Sequence, residues 1–196
     1  KEYIQKLKRL MDFGVSGLLL ALTAPAMVLI AIAVRIESSG PVFYQQVRVG
    51  KGEKPFTIYK FRSMRQDSER GGAQWAAERD PRTTRIGRIL RLTHLDELPQ
   101  MWNIFTGDMS IVGPRPERPE FVKMLEENIP YYAIRHSIRP GVTGWAQVNY
   151  RYGSSVEDSE RKLEHDLYYV KNMSLLLDFK ILLRTIGVVL LGDGAR

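Results

Sequence analysis

The stretch "VSGLLLALTAPAMVLIAIAV", Val15–Val34, carries no charged side chain. It determines how the rest of the chain is placed relative to a membrane. Its length is about the 20 residues that a helix needs to cross a bilayer. Pro25 divides the run near its middle, where a proline removes a backbone donor and kinks or breaks a helix. No small-x-small cleavage site follows, so the run is not typical of a cleaved signal peptide. The absence of a polar face disfavours a buried helix of a soluble domain.

The charges beside this run favour a re-entrant helix that breaks at Pro25. Cationic flanks prefer the cytoplasmic side of a membrane. A helix–break–helix that dips in and returns places both flanks there, whereas the alternative, a kinked spanning helix, leaves one flank outside. Carbonyl groups freed at the break would need new partners, for which Thr23 and Ser16 are candidates. Basic residues lie on both sides: Lys6, Lys8, Arg9, Arg35, Arg48 and Lys51.

The remaining sequence predicts an α+β fold that is mainly helical with a few short strands. Strands are expected in 41–50 and 54–64, joined by a turn at 50–52. An extended piece at 109–116, a turn at 139–144 and a loop at 67–84 separate the predicted helices. We expect two parts, a membrane helix at 1–37 and a cytosolic catalytic domain with interfacial helices at 38–196. Helices are predicted at 86–92, about 96–105, 119–129, 131–138, 156–172 and 175–191.

Composition points to an anionic partner. The chain has 29 Lys and Arg against 22 Asp and Glu, a net charge of +7. This excess suits nucleic acid, acidic lipid or a phosphorylated substrate. Without cysteine there is neither a disulfide nor a thiolate metal site. His94, His136 and His165 are scattered and form no metal-binding pattern, so we interpret them as structural or surface residues.

The adjacent acids Asp96 and Glu97 are the strongest candidates for chemistry. Pro99 loses no hydrogen bond in the first turn of a helix, so it predicts a helix that begins at Leu95 or Asp96, with both acids in its first turn. Leu98 is a qualification, because a residue before proline avoids helical angles. Acids commonly cap helices through the helix dipole, which is the ordinary explanation. The same geometry also binds phosphate.

Three arginines strengthen the phosphate hypothesis. Arg91 precedes the acids, Arg115 lies between two prolines in "GPRPE", and Arg139 lies in "RPG". Neighbouring prolines stiffen the backbone and reduce the entropy lost when a guanidinium binds phosphate. The alternative is structural pairing with local acids such as Glu117 or Glu120.

Adjacent residues on a helix point about 100° apart. Asp96 and Glu97 therefore do not suit a glycosidase, whose carboxyl groups face each other across the bond that breaks. One carboxylate can instead attack phosphorus and form an acyl phosphate. The other can accept a proton, hold a metal or orient the first. A divalent ion with oxygen ligands is expected, because phosphate charge must be neutralised as a carboxylate approaches.

The chain resembles the bacterial sugar transferases, the monotopic phosphoglycosyl transferases that load a sugar 1-phosphate onto a polyprenyl phosphate. The matching stretches follow the order of the family and cover nearly the whole chain. The ending "LLGDGAR" and the earlier "YRYG" look most like the large members, which implies the catalytic domain of a longer protein. The matching stretches are "KRLMDF", "GPVFYQQVRVG", "FTIYKFRSM", "LTHLDELPQMWNIFTGDMSIVGPRPE", "RPGVTGWAQVNYR" and "DLYYVKNMSLLLDFKILLRTI".

The resemblance implies a covalent mechanism. Asp96 would attack the β-phosphorus of a UDP-sugar and release UMP, and polyprenyl (undecaprenyl) phosphate would then take the phosphosugar. Glu97 would be the dyad partner, with Mg²⁺ beside Asp96. Arg91 and Arg115 match arginines near the family's active site, while the phosphate role of Arg139 is our own inference.

The resemblance also implies a location. Lys8 and Arg9 match the basic pair where the membrane helix begins, and Pro25 matches the proline of the re-entrant break. Many members have Ser-Pro there, whereas this chain has Ala24-Pro25, so the geometry of the break is open. We expect the cytoplasmic face of the bacterial inner membrane, as the first membrane step of polysaccharide or glycoconjugate synthesis. Membrane lipid is an expected partner, nucleic acid is not, and a second copy of the chain is a candidate.

Two rival functions remain open. A membrane-anchored basic binding module explains the charge and the apolar run but not the two acids. A membrane phosphatase would form the same aspartyl phosphate and use water as the acceptor.

Overall fold

The computed structural model describes residues 2–65, 80–150 and 155–191. It confirms a mainly helical α+β fold with short strands. The predicted loop at 67–84 lies largely outside the described residues. The helices are α1 (Glu2–Glu37), α2 (Arg85–Leu92), α3 (Gln100–Thr106), α4 (Pro119–Asn128), α5 (Trp145–Asn149), α6 (Val156–Asn172) and α7 (Leu175–Leu191). The strands are β1 (Phe43–Val49), β2 (Pro55–Phe61), β3 (Ser110–Val112) and β4 (Gly141–Thr143), and 3-10 turns cover Lys51–Glu53, Leu95–Glu97 and Tyr132–Ser137.

The strands form two small sheets. β1 and β2 make the predicted antiparallel hairpin, with Phe43 opposite Phe61. β3 and β4 pair in parallel, so the prediction of a simple turn at 139–144 is wrong for its central residues. This pairing depends on glycine, because a Cβ on Gly141 would lie 2.1 Å from the backbone nitrogen of Gly113. Because the paired residues Ser110 and Gly141 are far apart in the chain, no pattern among neighbouring residues predicts that β3 and β4 pair.

Helix α1 does not break at Pro25. It runs from Glu2 to Glu37 as one helix that includes the proline, so the expected interruption of the helix is wrong. The Thr23 hydroxyl donates to the Leu19 carbonyl at 2.7 Å, and Ser16 donates to the Phe13 carbonyl at 3.3 Å. Such bonds to the preceding turn stay within a helical backbone.

The first half of α1 is bound to the domain through polar contacts. The Lys8 ammonium is buried and donates to the Val112 carbonyl, the Tyr169 hydroxyl and the Asp178 carboxylate. One turn further along the helix, the Asp12 carboxylate accepts from the Ile111 N–H at 3.0 Å. These contacts join α1 to β3, α6 and α7.

The last part of α1 contacts the same domain at other elements. Val34 is buried with Phe61 of β2 and Leu90 of α2. The Glu37 carboxylate accepts from the N–H groups of Arg85 and Ile86, at 2.8 and 3.0 Å. A carboxylate at a helix N-terminus is stabilised by the unpaired N–H groups there. Both ends of α1 are therefore held by one folded body.

Three further apolar clusters fill the domain. One lies between the hairpin, α4 and α6, a second between β3, α6 and α7, and a third between β2 and α3. The third cluster packs β2 against α3, next to the turn that carries the two acids Asp96 and Glu97. Its buried members are Ile58, Ile104 and Met109.

Two helical surfaces expose apolar side chains. The middle of α1 does so at Leu18, Leu22 and Leu29, and by length and hydropathy α1 is able to cross a membrane. Helix α7 exposes a stripe at i, i+3, i+7 and i+10, as expected for one face of a helix. The stripe consists of Leu176, Phe179, Leu183 and Ile186. An interfacial role for α7 stays a prediction.

We expect Lys8→Ala to destabilise the domain by about 3–5 kcal/mol, because it leaves the Asp178 carboxylate buried without its cation. The free energy of unfolding in detergent would measure this effect. Lys6→Ala is the matched control, since Lys6 pairs with Glu2 on the exposed surface and such pairs contribute only about 0.3–0.5 kcal/mol. Equal effects of the two changes would contradict a structural role for the buried pair.

Candidate active site

Asp96 and Glu97 lie on the 3-10 turn Leu95–Glu97, and α3 begins only at Gln100. The prediction of one α-helix over 96–105 is therefore wrong at its start. Pro99 has no N–H to bond back, and the chain instead closes tight i to i+3 bonds, such as Leu98 N–H to the Leu95 carbonyl at 3.3 Å. The tight turn places Asp96 in the interior, where it is 7% exposed.

Two cations hold the Glu97 side chain. Its Oε1 atom accepts from Lys60 Nζ at 2.6 Å and from Arg115 Nη2 at 2.6 Å. The structure thus brings Arg115 to the acids, as predicted. Lys60 was missed, because a single lysine in a hairpin strand does not differ in sequence from an ordinary surface lysine.

The scaffold around this ion pair fixes the relative position of its elements. Asn103 is fully buried on α3, and its Nδ2 donates to the Thr57 carbonyl at 2.7 Å while its Oδ1 accepts from the Tyr59 N–H at 3.2 Å. These bonds join α3 to β2, the strand that carries Lys60. The acidic turn and the lysine are therefore held by one rigid connection.

The backbone of Arg115 is held in place by a second arginine, Arg135. The Arg135 guanidinium donates to the Arg115 carbonyl at 2.9 Å. Arg135 is itself buried, with its guanidinium 2.8 Å from the Asp166 carboxylate, and its Nη1 atom donates to the Tyr132 hydroxyl at 2.6 Å. Sequence analysis did not identify Arg135 or Asp166, which lie 31 residues apart.

The two neighbouring acids have opposite electrostatic environments. Burial raises the pKa of Asp96 above its usual value, partly countered by the charge of Lys60. Burial also opposes ionisation of Glu97, but Arg115 and Lys60 outweigh it and lower the pKa of Glu97 well below its usual range. Within the described residues the Asp96 carboxylate has no hydrogen-bond partner. One acid is committed to cations and the other is free to react, a division of roles typical of active sites.

The other two predicted arginines form hydrogen bonds with groups other than the two acids. Arg91 donates to the Thr83 hydroxyl at 3.2 Å, and Arg139 donates to the Gly107 carbonyl at 3.0 Å, at the C-terminal end of α3. Their roles in phosphate binding stay predictions.

Lys8 and Arg9 are engaged in packing. Lys8 forms the buried ion pair described above, and Arg9 donates to the carbonyls of Ile104 and Phe105 at 2.6 and 2.7 Å. A guanidinium at the end of a helix satisfies carbonyl groups that have no partner in the helix itself. These contacts give both residues a structural role, and substrate binding by either stays a prediction.

A family model of bacterial sugar transferases matches residues 3–192. The chain belongs to the bacterial sugar transferase family. The matched residues include nearly all of α1, so the apolar helix is part of the region that the family model describes.

Two relatives of this sugar transferase illustrate the similarity. A UDP-N-acetylgalactosamine-undecaprenyl-phosphate N-acetylgalactosaminephosphotransferase of Aeromonas hydrophila is 48% identical over 190 residues, covering 97% of this chain and 45% of the relative. A UDP-glucose:undecaprenyl-phosphate glucose-1-phosphate transferase of Escherichia coli K12 is 42% identical over 182 residues, covering 92% and 39%. The chain thus spans less than half the length of these two relatives.

A third relative is of similar size to the chain. The uncharacterized sugar transferase EpsL of Bacillus subtilis is 41% identical over 190 residues, which cover 97% of this chain and 90% of the relative. The matched region is therefore nearly the whole of at least one family member.

The donor set of the sugar transferase fits a magnesium ion at Asp96. Mg²⁺ commonly binds through one or two carboxylates and completes its shell with water and substrate phosphates. The Asp96 carboxylate is free for this purpose, whereas Oε1 of Glu97 is already shared by Lys60 and Arg115. Of the two acids of the turn, Asp96 is the one whose carboxylate could hold Mg²⁺ without competing with a cation.

Glu97→Gln should lower the free energy of unfolding by about 2 kcal/mol at pH 7, because it removes two charge-assisted hydrogen bonds. The pKa of Glu97 is lowered in the folded state, so its contribution is complete above the ordinary value of 4.5 and is lost as the pH falls below that value. Denaturant unfolding of both proteins between pH 7 and pH 3 would measure the difference. If the difference in unfolding free energy between wild type and Glu97→Gln stayed the same from pH 7 to pH 3, an ion-paired Glu97 carboxylate would be contradicted.

Proposed function

We propose that this chain transfers a sugar 1-phosphate from a UDP-sugar to undecaprenyl phosphate and releases UMP, through a covalent intermediate on Asp96. The relatives from Aeromonas hydrophila and Escherichia coli are both named as transferases of this kind, one for N-acetylgalactosamine and one for glucose. Because these names differ in the sugar, the proposal is confined to UDP-sugars as a class.

The observation that carries the proposal is the contrast between the two acids. A nucleophilic carboxylate must be ionised and unencumbered, while its neighbours must tolerate phosphate charge. Asp96 is buried and free of hydrogen bonds within the described residues, and Glu97 holds Lys60 and Arg115 beside it. A binding module without chemistry has no need of a buried free carboxylate.

The reaction proceeds as two displacements at one phosphorus atom. In the first, an Asp96 oxygen bonds to the β-phosphorus of the donor, the bond from that phosphorus to the bridging oxygen breaks, and UMP leaves. In the second, a phosphate oxygen of the acceptor lipid bonds to the same phosphorus, the acyl phosphate bond breaks, and Asp96 is regenerated as a carboxylate. The product is a lipid diphosphosugar, and no oxidant or reductant is needed.

Lys60 and Arg115 supply positive charge next to the reacting carboxylate. The Arg115 guanidinium donates to Glu97 at 2.6 Å and, weakly, to the Val142 carbonyl at 3.4 Å. Its side chain is 42% exposed, so its remaining N–H groups are available to a substrate phosphate. A bound Mg²⁺ would add charge neutralisation at the donor phosphates. Electrostatic stabilisation of this kind is a major source of rate enhancement in phosphoryl transfer.

The contacts of α1 support a seat on one side of the membrane. A straight helix of this length would measure about 54 Å, longer than the hydrocarbon core of about 30 Å. If α1 crossed the bilayer, its two ends would lie on opposite sides, yet both contact the same domain, at Asp12 and at Glu37. We therefore propose that α1 enters the cytoplasmic leaflet of the inner membrane with its exposed middle and does not cross.

Asp96→Asn should abolish lipid diphosphosugar formation, because an amide is not a nucleophile toward phosphorus. In the wild type, mass spectrometry of protein quenched after exposure to the UDP-sugar should show an added sugar phosphate that the acceptor lipid removes. Asp108→Asn is the matched control, an exposed acid near the end of α3. Turnover by the Asp96→Asn variant would refute the assignment of the nucleophile.

The same assay separates the rival functions. UDP-sugar without acceptor lipid should give at most one equivalent of UMP per protein. Free sugar phosphate that accumulates over many turnovers would identify a phosphatase, and the absence of UMP release together with retained anion binding would identify a binding module.

Single-cysteine labels near Glu2 and near Ser38 should be modified from the same side of sealed inner-membrane vesicles, because both ends of α1 contact one domain. The chain has no native cysteine, so each label reports one position. Modification from opposite sides would reject the one-sided seat and favour a spanning helix.

A further inference from the structure

Three side chains outside the acidic turn converge beside the turn that joins β1 and β2. Glu53 ends the 3-10 turn Lys51–Glu53, Glu126 lies in the last part of α4, and His136 lies in the 3-10 turn Tyr132–Ser137. One ligand atom from each lies within 4.8 Å of the others. We propose that Glu53, Glu126 and His136 form a second metal site, which binds a zinc ion.

His136 is the observation that points to a ligand. Its side chain is 7% exposed, yet within the described residues neither ring nitrogen has a hydrogen-bond partner. Its Nδ1 atom faces Oε1 of Glu126 at 3.9 Å, which is too long for a hydrogen bond. A buried polar group without a partner is costly, and a metal ion between the imidazole and the carboxylate would satisfy it.

The two carboxylates complete the donor set. Oxygen atoms of Glu53 and Glu126 approach the His136 ring from two different elements, the hairpin turn and α4. Carboxylates this close repel each other, and a divalent ion between them would remove that repulsion.

The donor set favours zinc over magnesium. Zn²⁺ accepts one imidazole nitrogen and two carboxylate oxygens at about 2.0–2.2 Å, often with water as the fourth ligand. Mg²⁺ instead prefers an octahedron of oxygen ligands. Closing the three ligand atoms around zinc requires a movement of about an ångström, which the exposed carboxylates of Glu53 and Glu126 allow.

Glu53 adopts a conformation that supports this arrangement. Its φ angle is +61°, in the left-handed region that residues other than glycine rarely occupy. The turn thus holds Glu53 in a backbone conformation that is costly for a residue other than glycine. In this conformation the Glu53 carboxylate lies near Glu126 of α4 and near His136. A bound ion would link the hairpin, α4 and the Tyr132–Ser137 turn, and would stabilise the folded state by mass action.

The test uses the full chain in detergent, stripped of metal with a chelator, and an excess of Mg²⁺ to occupy sites that have only oxygen ligands. Dialysis against micromolar zinc followed by elemental analysis should give about one zinc per chain. Glu53→Gln, Glu126→Gln and His136→Gln should each weaken zinc binding by about 10-fold or more, as expected when a ligand is lost. The thermal midpoint of the wild type, but not of these variants, should rise on adding zinc.

Three controls make the result specific. Glu127→Gln and His165→Gln change the same residue types elsewhere and should bind zinc as the wild type does. Asp96→Asn should also retain zinc, which separates this site from the proposed active site and makes the test independent of the proposed function. Wild-type protein that binds no zinc, or zinc binding that survives both Glu53→Gln and Glu126→Gln, would overturn the proposal. Since these two carboxylates are exposed, their variants are expected to fold even if His136→Gln does not.

Discussion

The active-site region depends on one carboxylate that is shared by two cations. Glu97 accepts hydrogen bonds from Lys60 of the hairpin and from Arg115 of the proline-framed loop, and so joins three segments that are distant in sequence. Burial alone would raise the pKa of Glu97, but its two cations outweigh burial and favour the charged carboxylate. With Glu97 committed in this way, Asp96 is left as the free acid of the turn. The chemistry proposed for Asp96 is thus a consequence of the ion pair formed by its neighbour.

The apolar helix α1 is joined to the domain by the same kind of interaction. Lys8 is buried against Asp178, and Glu37 caps the first turn of α2, so polar contacts at both ends hold a helix whose middle is apolar and exposed. A buried ion pair specifies position because its loss leaves an uncompensated charge. This arrangement accounts for a helix with the composition of a membrane span that nevertheless has its two ends in contact with one folded body. It also places α3, which follows the two acids in the chain, directly against α1.

Local patterns predicted the secondary structure where a single strong cause was present. Hydrophobic periodicity located α4, α6 and α7, and alternation with glycine turns located the β1–β2 hairpin. Predictions failed where two local tendencies competed. Pro25 was expected to break α1 but lies inside a helix that continues from Glu2 to Glu37, since a proline removes one backbone hydrogen bond and can kink a helix without ending it. Pro99 was expected to start a helix containing both acids, but its missing N–H divides that segment into a 3-10 turn and α3. The strand β4 was missed because its partner, β3, lies about 30 residues earlier in the chain.

The sequence by itself determined the family, the apolar helix and the two acids, because each of these is encoded in contiguous residues. It also identified Arg115, whose flanking prolines stiffen its backbone without any help from the rest of the fold. The tertiary structure alone decided which cations contact Glu97, that Lys8 is buried against Tyr169, and that Arg135 supports the Arg115 backbone. It likewise brought Glu53, Glu126 and His136 together, although the sequence shows no metal-binding spacing. The physical reason is that an ion pair or a metal site depends on distances in space. Residues such as Lys60 and Glu97, which are 37 positions apart, have no fixed separation until the chain has folded.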